Sequence, residues 1–259
     1  MMASPWRGGA SRRLGLLATA LAVVTVSVGI SRAETVQKGD LRVAFSGSFT
    51  PRALPRSGTA PVSVAIGGRI STSDGKVPPQ LRRIELAINR NGRLSMVGLP
   101  ICRLDEIQPS TNKGALEACR RSLVGEGSFT ANVELPQQAP FPSRGKVLAF
   151  AGREHGEPAI LAHVYGTDPI PTSYTLPFAI GNARGTFGTV LTASLPRVTS
   201  DWGFVTGIDL TLNRHGFVSA GCPAAAGFPG AVFPLLRASF VFTGGPTLSS
   251  VLNRGCKTR

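Results

Sequence analysis

The sequence predicts an all-β fold of two tandem β-sandwich-like (Ig-like) domains related by internal duplication, with one short helix. Three observations predict it. Short apolar/polar alternations recur along the chain, 31 Gly and 20 Pro punctuate them, and a pattern of 12 residues occurs twice. A strand with one buried face repeats every second residue. Runs this short between Gly and Pro turns point to sandwich sheets and away from parallel α/β layers.

The amino end is cationic and then apolar. Arg7, Arg12 and Arg13 precede the first acid, Glu34, and an apolar run from Leu14 to Ile30 ends in Ser31-Arg32-Ala33. Small side chains thus occupy the two positions that a signal peptidase reads, so residues 1–33 are expected to be a secretory signal peptide. A membrane anchor is the competing reading, because the run of 17 residues approaches a bilayer span. Every later apolar run is interrupted by Pro, Gly or charge, and the exported chain is expected to be soluble.

Strands are expected at 41–49, 61–70, 127–135, 146–152, 159–165, 173–180, 186–195 and 237–243. The repeated unit supplies two more. Residues 84–95 read Ile-Glu-Leu-Ala-Ile-Asn-Arg-Asn-Gly-Arg-Leu-Ser and residues 208–219 read Ile-Asp-Leu-Thr-Leu-Asn-Arg-His-Gly-Phe-Val-Ser. Each alternates like a half-buried strand and then offers an Asn-Arg-x-Gly connection. Gly92 or Gly216 can take the positive φ that closes a hairpin, and the leading Asn can bond its own backbone. Copies 124 residues apart are one domain length apart, which suggests an ancient duplication.

The helix is expected between Thr111 and Leu123, with Thr111 capping its first turn and Gly125 beyond its end. Four cysteines in an exported chain are expected to pair. Three connectivities are possible, and the repeat favours Cys102–Cys119 and Cys222–Cys256, one pair in each half. The Pro-containing stretch Gly166–Pro171 is the expected boundary, giving domains at 34–170 and 171–259.

Removal of residues 1–33 takes four Arg and no acid, leaving 226 residues with 24 basic against 14 acidic side chains, a net charge of +10. Only five of these basic residues are Lys, so the charge is carried by Arg, which grips phosphate and carboxylate with a bidentate fork. An anionic partner is favoured: an envelope polymer, a lipid surface or nucleic acid. The competing reading is a solubility charge, since the Arg residues are scattered with no polybasic run. Apart from Phe, the exported chain has only Tyr165, Tyr174 and Trp202 as aromatics, which argues against base stacking and sequence-specific nucleic-acid recognition. Arg90 and Arg214, at equivalent places in the two turns, are candidate ligand-gripping tips. Trp202, in an expected loop, is a candidate carbohydrate or lipid contact.

Catalytic candidates are few. His155, His163 and Asp168 lie close enough in sequence to suggest a metal or acid/base site, although their spacing matches no standard motif. Asp105-Glu106 is the most crowded acidic pair, and a turn-capping role competes with a catalytic one. Gly-x-Ser-x-Gly, His-Glu-x-x-His and phosphate-binding Gly-rich loops are all absent. No cofactor is expected.

Leu99-Pro100-Ile101-Cys102, the helix ending at Cys119, Leu123-Val124-Gly125-Glu126-Gly127 and the tail from Gly227 to Pro234 through Cys256 resemble an uncharacterised family of secreted actinobacterial proteins with two cysteine pairs. The resemblance covers most of the mature chain. It implies export and paired cysteines, and it implies no activity and no functional residue.

The sequence thus leads to an exported, non-enzymatic binding or envelope-associated protein for an anionic polymer or surface. A secreted hydrolase whose site assembles only in the fold is the alternative, and a purely structural surface protein is the third reading.

Overall fold

The computed structural model describes residues 33–134, 137–167, 171–195 and 203–259. The first half supplies β1 (Glu34–Lys38), β2 (Leu41–Thr50), β3 (Ala53–Leu54), β4 (Ala60–Pro61), β5 (Ser63–Thr72), β6 (Leu81–Asn89) and β7 (Gly92–Leu94). Two short helices follow, α1 (Leu104–Ile107) and α2 (Asn112–Cys119), and then β8 (Leu123–Val133), β9 (Phe141–Glu154) and β10 (Glu157–Gly166). The remainder is β11 (Thr172–Asn182), β12 (Phe187–Ser194), β13 (Gly203–Leu212), β14 (Val218–Ala220), β15 (Gly230–Phe242) and β16 (Thr247–Thr258). The chain is therefore mostly β, as its alternations require.

One sheet of 13 strands holds most of these elements, in the order β1-β2-β5-β13-β8-β9-β10-β11-β12-β6-β15-β16-β3. The two halves expected on either side of residue 170 do not form separate sheets. Strand β13, from the second half, lies between β5 and β8, and β6, from the first, lies between β12 and β15. A small second sheet has the order β4-β14-β7.

The two repeated segments are strand-then-turn units, but they are not the hairpins expected. After its turn each chain leaves the large sheet, and the short strands β7 and β14 pair with each other: Leu94 faces Val218 and Gly92 faces Ala220. Ser95 N extends the pairing by donating to Phe217 O at 2.9 Å. The leading Asn does bond its own backbone, with Asn89 Oδ1 accepting from Asn91 N at 2.9 Å. Gly216 takes the positive φ, 78°. Gly92 does not, and it is needed for room: a Cβ there would stand 3.0 Å from Ile88 Cγ2. A turn that redirects the chain satisfies the same Asn-x-x-Gly chemistry as one that folds it back, so the motif alone does not name the partner strand.

The sheet curls until β1 lies against β16. Side chains close this seam, for β1 and β16 are not ladder neighbours. Arg254 Nε donates to Gly47 O at 2.6 Å and its guanidinium pairs with Glu34 at 3.4 Å. Inside the curl, Phe45, Phe49, Phe217, Phe233, Phe240, Phe242 and Leu252 form the main core, with Phe45 edge-on to Phe240.

Strands β9 and β10 are buried on both faces. Their inward residues Ala149, Ala151 and Ile160 join the main core, while Leu148, Phe150, Ala159 and Leu161 meet Ile107 and Ala115 of the helices outside. Helix α2 starts as expected, with Thr111 Oγ1 accepting from Gly114 N at 3.1 Å. Helix α1 goes beyond the expected single helix. Glu106 opens it, accepting from Arg103 N at 2.8 Å, so Glu106 has the capping role while Asp105 pairs with the Arg103 guanidinium at 2.6 Å. Both disulfides form as expected, Cys102–Cys119 and Cys222–Cys256. Disulfides fit an oxidising compartment. No helix among the described residues is long and apolar enough to cross a membrane. Among the described residues, the ladders, both disulfides and the hydrophobic clusters fall between Glu34 and Arg259, so this stretch carries its own core.

Candidate functional site

The expected histidine cluster does not assemble. His155 is an exposed residue of the β9–β10 turn, at φ 49°. His163 is fully buried farther along β10. Eight residues of mostly extended chain set the two about 20 Å apart. Asp168 lies outside the described residues. His163 faces outward from the sheet, where the connection between α1 and α2 covers it. Its Nδ1 stands 3.3 Å from Thr175 Oγ1, and Gln108 of that connection accepts from Thr175 N at 3.2 Å. His163 Nε2 has no protein partner. Burial holds its pKa below the ordinary 6.5, so the ring is neutral under a lid of protein. Glu106 approaches Cys119 Sγ at 3.5 Å, but both sulfurs nearby are consumed by the Cys102–Cys119 bridge. The open depression beside α2, lined by Pro100, Glu106, Leu116 and Arg121 among others, contains no histidine.

A different feature emerges from the ends of the strands. Antiparallel registers place the finish of β2, β6, β13 and β16 and the start of β5, β12 and β15 at one end of the curled sheet. The small sheet closes this end, and its neighbours Phe217, Val218, Ala220 and Cys222 plug the main core from above. Five segments build the closure: 51–62, 90–102, 183–186, 213–229 and 255–259.

These segments contain no Asp or Glu. Arg52 and Arg56 lie on the first, Arg90 and Arg93 on the second, and Arg184 on the third. Arg214, Lys257 and Arg259 follow on the last two. All eight are exposed, and none takes part in the ion pairs found among the described residues. The rest of the exported chain holds 16 basic and 14 acidic residues, so eight of its ten net positive charges sit on this closure. Carboxylates border the closure: Asp105 and Glu106 follow Cys102 on α1, Glu126 is two residues from Val124, whose carbonyl oxygen accepts from Arg214 N at 3.3 Å, and Glu154 and Glu157 flank the β9–β10 turn.

Arg90 and Arg214, the candidate tips, both belong to this closure. Trp202 lies outside the described residues. Arg56 has a second task, donating to the carbonyl oxygens of Ala224, Ala225 and Phe228 and so pinning the 222–229 loop. Sequence reading missed Arg52, Arg56, Arg93, Arg184, Lys257 and Arg259 because they come from segments far apart in the chain. A signal was present: after Asp209 no acid occurs to residue 259.

Low-dielectric protein behind a one-sign cluster concentrates the field outward, so the potential at this end is positive. Comparison with protein families, with curated proteins and with solved structures finds no match for the chain.

Proposed function

We propose that this chain is exported, loses residues 1–33, and acts without catalysis by docking an anionic envelope surface or polymer on the closed end of its sheet. One observation carries the reading: eight exposed cations and not one Asp or Glu on the five segments of the closure. A charge that served solubility alone would be spread over the surface. The Arg-rich composition suits phosphate and carboxylate partners, for which a guanidinium offers two parallel donors.

The duplication belongs to the same proposal. Runs β2-β5-β13-β8-β9 and β11-β12-β6-β15-β16 correspond strand for strand, each half lending its repeated strand to the other. Leu94 and Val218, equivalent in the two copies, face one another. This supports a local twofold axis through the small sheet, which sets Arg90 and Arg214 at matching places around it. An intertwined pair of copies would bring two turns that are remote in sequence to one end of the fold.

The test is binding of residues 34–259 to a soluble polyphosphate and to purified cell envelope, at low and high salt. The charge-reversed variant Arg90→Glu/Arg184→Glu/Arg214→Glu is expected to bind at least about tenfold more weakly, given roughly 1 kcal/mol for each cation at an anionic surface. Reversal of Lys38, Arg144 and Lys146, at the other end, serves as the control. Equal weakening by the two variants would show that net charge acts without a site, and the reading would fail.

A further inference from the structure

The exposed apolar side chains of the described residues are not distributed evenly. Val97 is 92% exposed, Val232 77% and Phe228 63%, the three highest values among exposed large apolar residues. All three lie at the cationic end. Val97 follows β7, in a turn closed by Leu99 N donating to Met96 O at 3.0 Å, with Gly98 at φ 76°. Phe228 ends the loop before β15, and Val232 lies near the start of that strand, opposite Gly255.

The Phe228 loop is held in place. Cys222 is tied to Cys256, Arg56 Nη2 donates to Phe228 O at 2.8 Å, and Thr258 N donates to Pro229 O at 2.9 Å. Phe228 N donates to Ala225 O at 3.2 Å, with Gly227 at φ 84° between them. An aromatic ring so exposed on so constrained a loop is available to a partner. A hydrated anionic polymer has no apolar phase to receive it. A bilayer has one directly beneath its anionic headgroups, within reach of a side chain that enters the interface.

Resting on the reading of the cationic end as a docking surface, we propose that its partner is an anionic lipid bilayer, entered by Val97 and Phe228 while the arginines stay at headgroup level. The two kinds of group suit the two layers of the partner: guanidinium pairs with lipid phosphate, and the apolar tips displace headgroup water. Neither alone gives a stable anchor. Cations are screened by salt, and a few apolar tips bury little area, so attachment needs both.

The experiment is co-sedimentation of residues 34–259 with phosphatidylcholine vesicles that contain or lack phosphatidylglycerol, alongside titration with soluble polyphosphate. The variants are Val97→Ser/Phe228→Ser and the triple charge reversal Arg90→Glu/Arg184→Glu/Arg214→Glu. The wild-type protein is expected to bind only the anionic vesicles. Val97→Ser/Phe228→Ser should bind them about tenfold more weakly while keeping its polyphosphate affinity, and the charge reversal should lose both. Phe228→Trp should add a blue-shifted fluorescence component on binding to vesicles, beyond any change in the wild-type protein. Unchanged vesicle binding by Val97→Ser/Phe228→Ser, with no blue shift from Phe228→Trp, would overturn the bilayer and leave a polymer as the partner. Failure of the wild type to bind either anion would overturn the docking surface itself. A stable dimer in solution that Val97→Ser/Phe228→Ser dissociates would show that a second copy covers the tips, and that result too would overturn the bilayer.

Discussion

Arg254 of β16 donates from Nε to the carbonyl oxygen of Gly47 on β2 at 2.6 Å, across the place where the curled sheet meets itself. The side chain is only 11% exposed, whereas its ionic partner Glu34 is 41% exposed. The bond to the carbonyl should therefore outweigh the ion pair. Gly47 also leaves room at the seam, since a Cβ there would crowd Leu252 Cδ1 at 2.9 Å.

Arg254→Met is expected to destabilise the fold by about 1–3 kcal/mol, the cost of a buried acceptor left without its donor. Glu34→Gln should cost under about 1 kcal/mol, as befits a partly solvated pair. Urea unfolding of the two variants measures both. A larger loss for Glu34→Gln would move the closure from the carbonyl bond to the ion pair.

The two disulfides close loops of different size, with sequence separations of 17 and 34. Loop-closure entropy assigns about 3 kcal/mol to Cys102–Cys119 and about 4 kcal/mol to Cys222–Cys256. Paired Cys→Ala variants, compared by denaturant unfolding without reductant, should keep that order. The Cys222/Cys256 variant should also weaken vesicle binding, because its bridge holds the Phe228 loop. Full vesicle affinity in that variant would mean that the hydrogen bonds from Arg56 and Thr258 suffice to keep Phe228 in place.

Much of this fold can be read from alternation, and the exceptions have physical causes. Strand β16 is hidden because its inward-facing positions include Ser250 and Arg254, leaving only Leu248, Leu252 and Cys256 buried, at a spacing of four. An inward arginine that closes a seam looks, in sequence, like a break in a strand. The Asn-Arg-x-Gly turns were legible as turns, but their partner strands were not, because pairing of β7 with β14 depends on residues 124 apart. Cysteine pairing was legible because each pair is local. The exposure of Val97 and Phe228 was not legible for the opposite reason: an apolar residue beside Gly and Pro in a loop has the same sequence signature whether it packs on a sheet edge or faces solvent. The cationic closure draws on five separate segments, and only the strand order gathers them.

Backbones approach closely on β8, where Gly127 faces Leu210 and a Cβ would collide with the carbonyl oxygen of Asp209. Gly127→Ala is expected to cost about 3 kcal/mol, since two ladder neighbours would have to move. Gly181 on β11 has ordinary space, its nearest neighbour to a new Cβ being Val190 O at 3.8 Å. Gly181→Ala should be neutral or stabilising by about 0.5 kcal/mol, through the lower entropy of the unfolded chain. Thermal unfolding of the pair distinguishes close approach from a general intolerance of the sheet to side chains.

Burial of His163 makes stability depend on pH. Its pKa in the folded protein lies below the ordinary 6.5, because desolvation disfavours the charged ring. As pH falls below about 6.5 the unfolded chain takes up a proton that the folded chain refuses, so stability is lost. The loss approaches about 1.4 kcal/mol per pH unit and ends once pH drops below the lowered folded value. Above about 6.5 both states hold the ring neutral and the contribution is flat. His163→Gln removes the titration and keeps a polar group beside Thr175. Denaturant unfolding from pH 7.5 to pH 4.5 should therefore give a wild-type curve that falls more steeply below pH 6.5 than that of the variant, with equal slopes above. Coincident curves throughout would mean that the folded protein accepts the proton at His163, which requires the connection between α1 and α2 to open and admit water to Nε2.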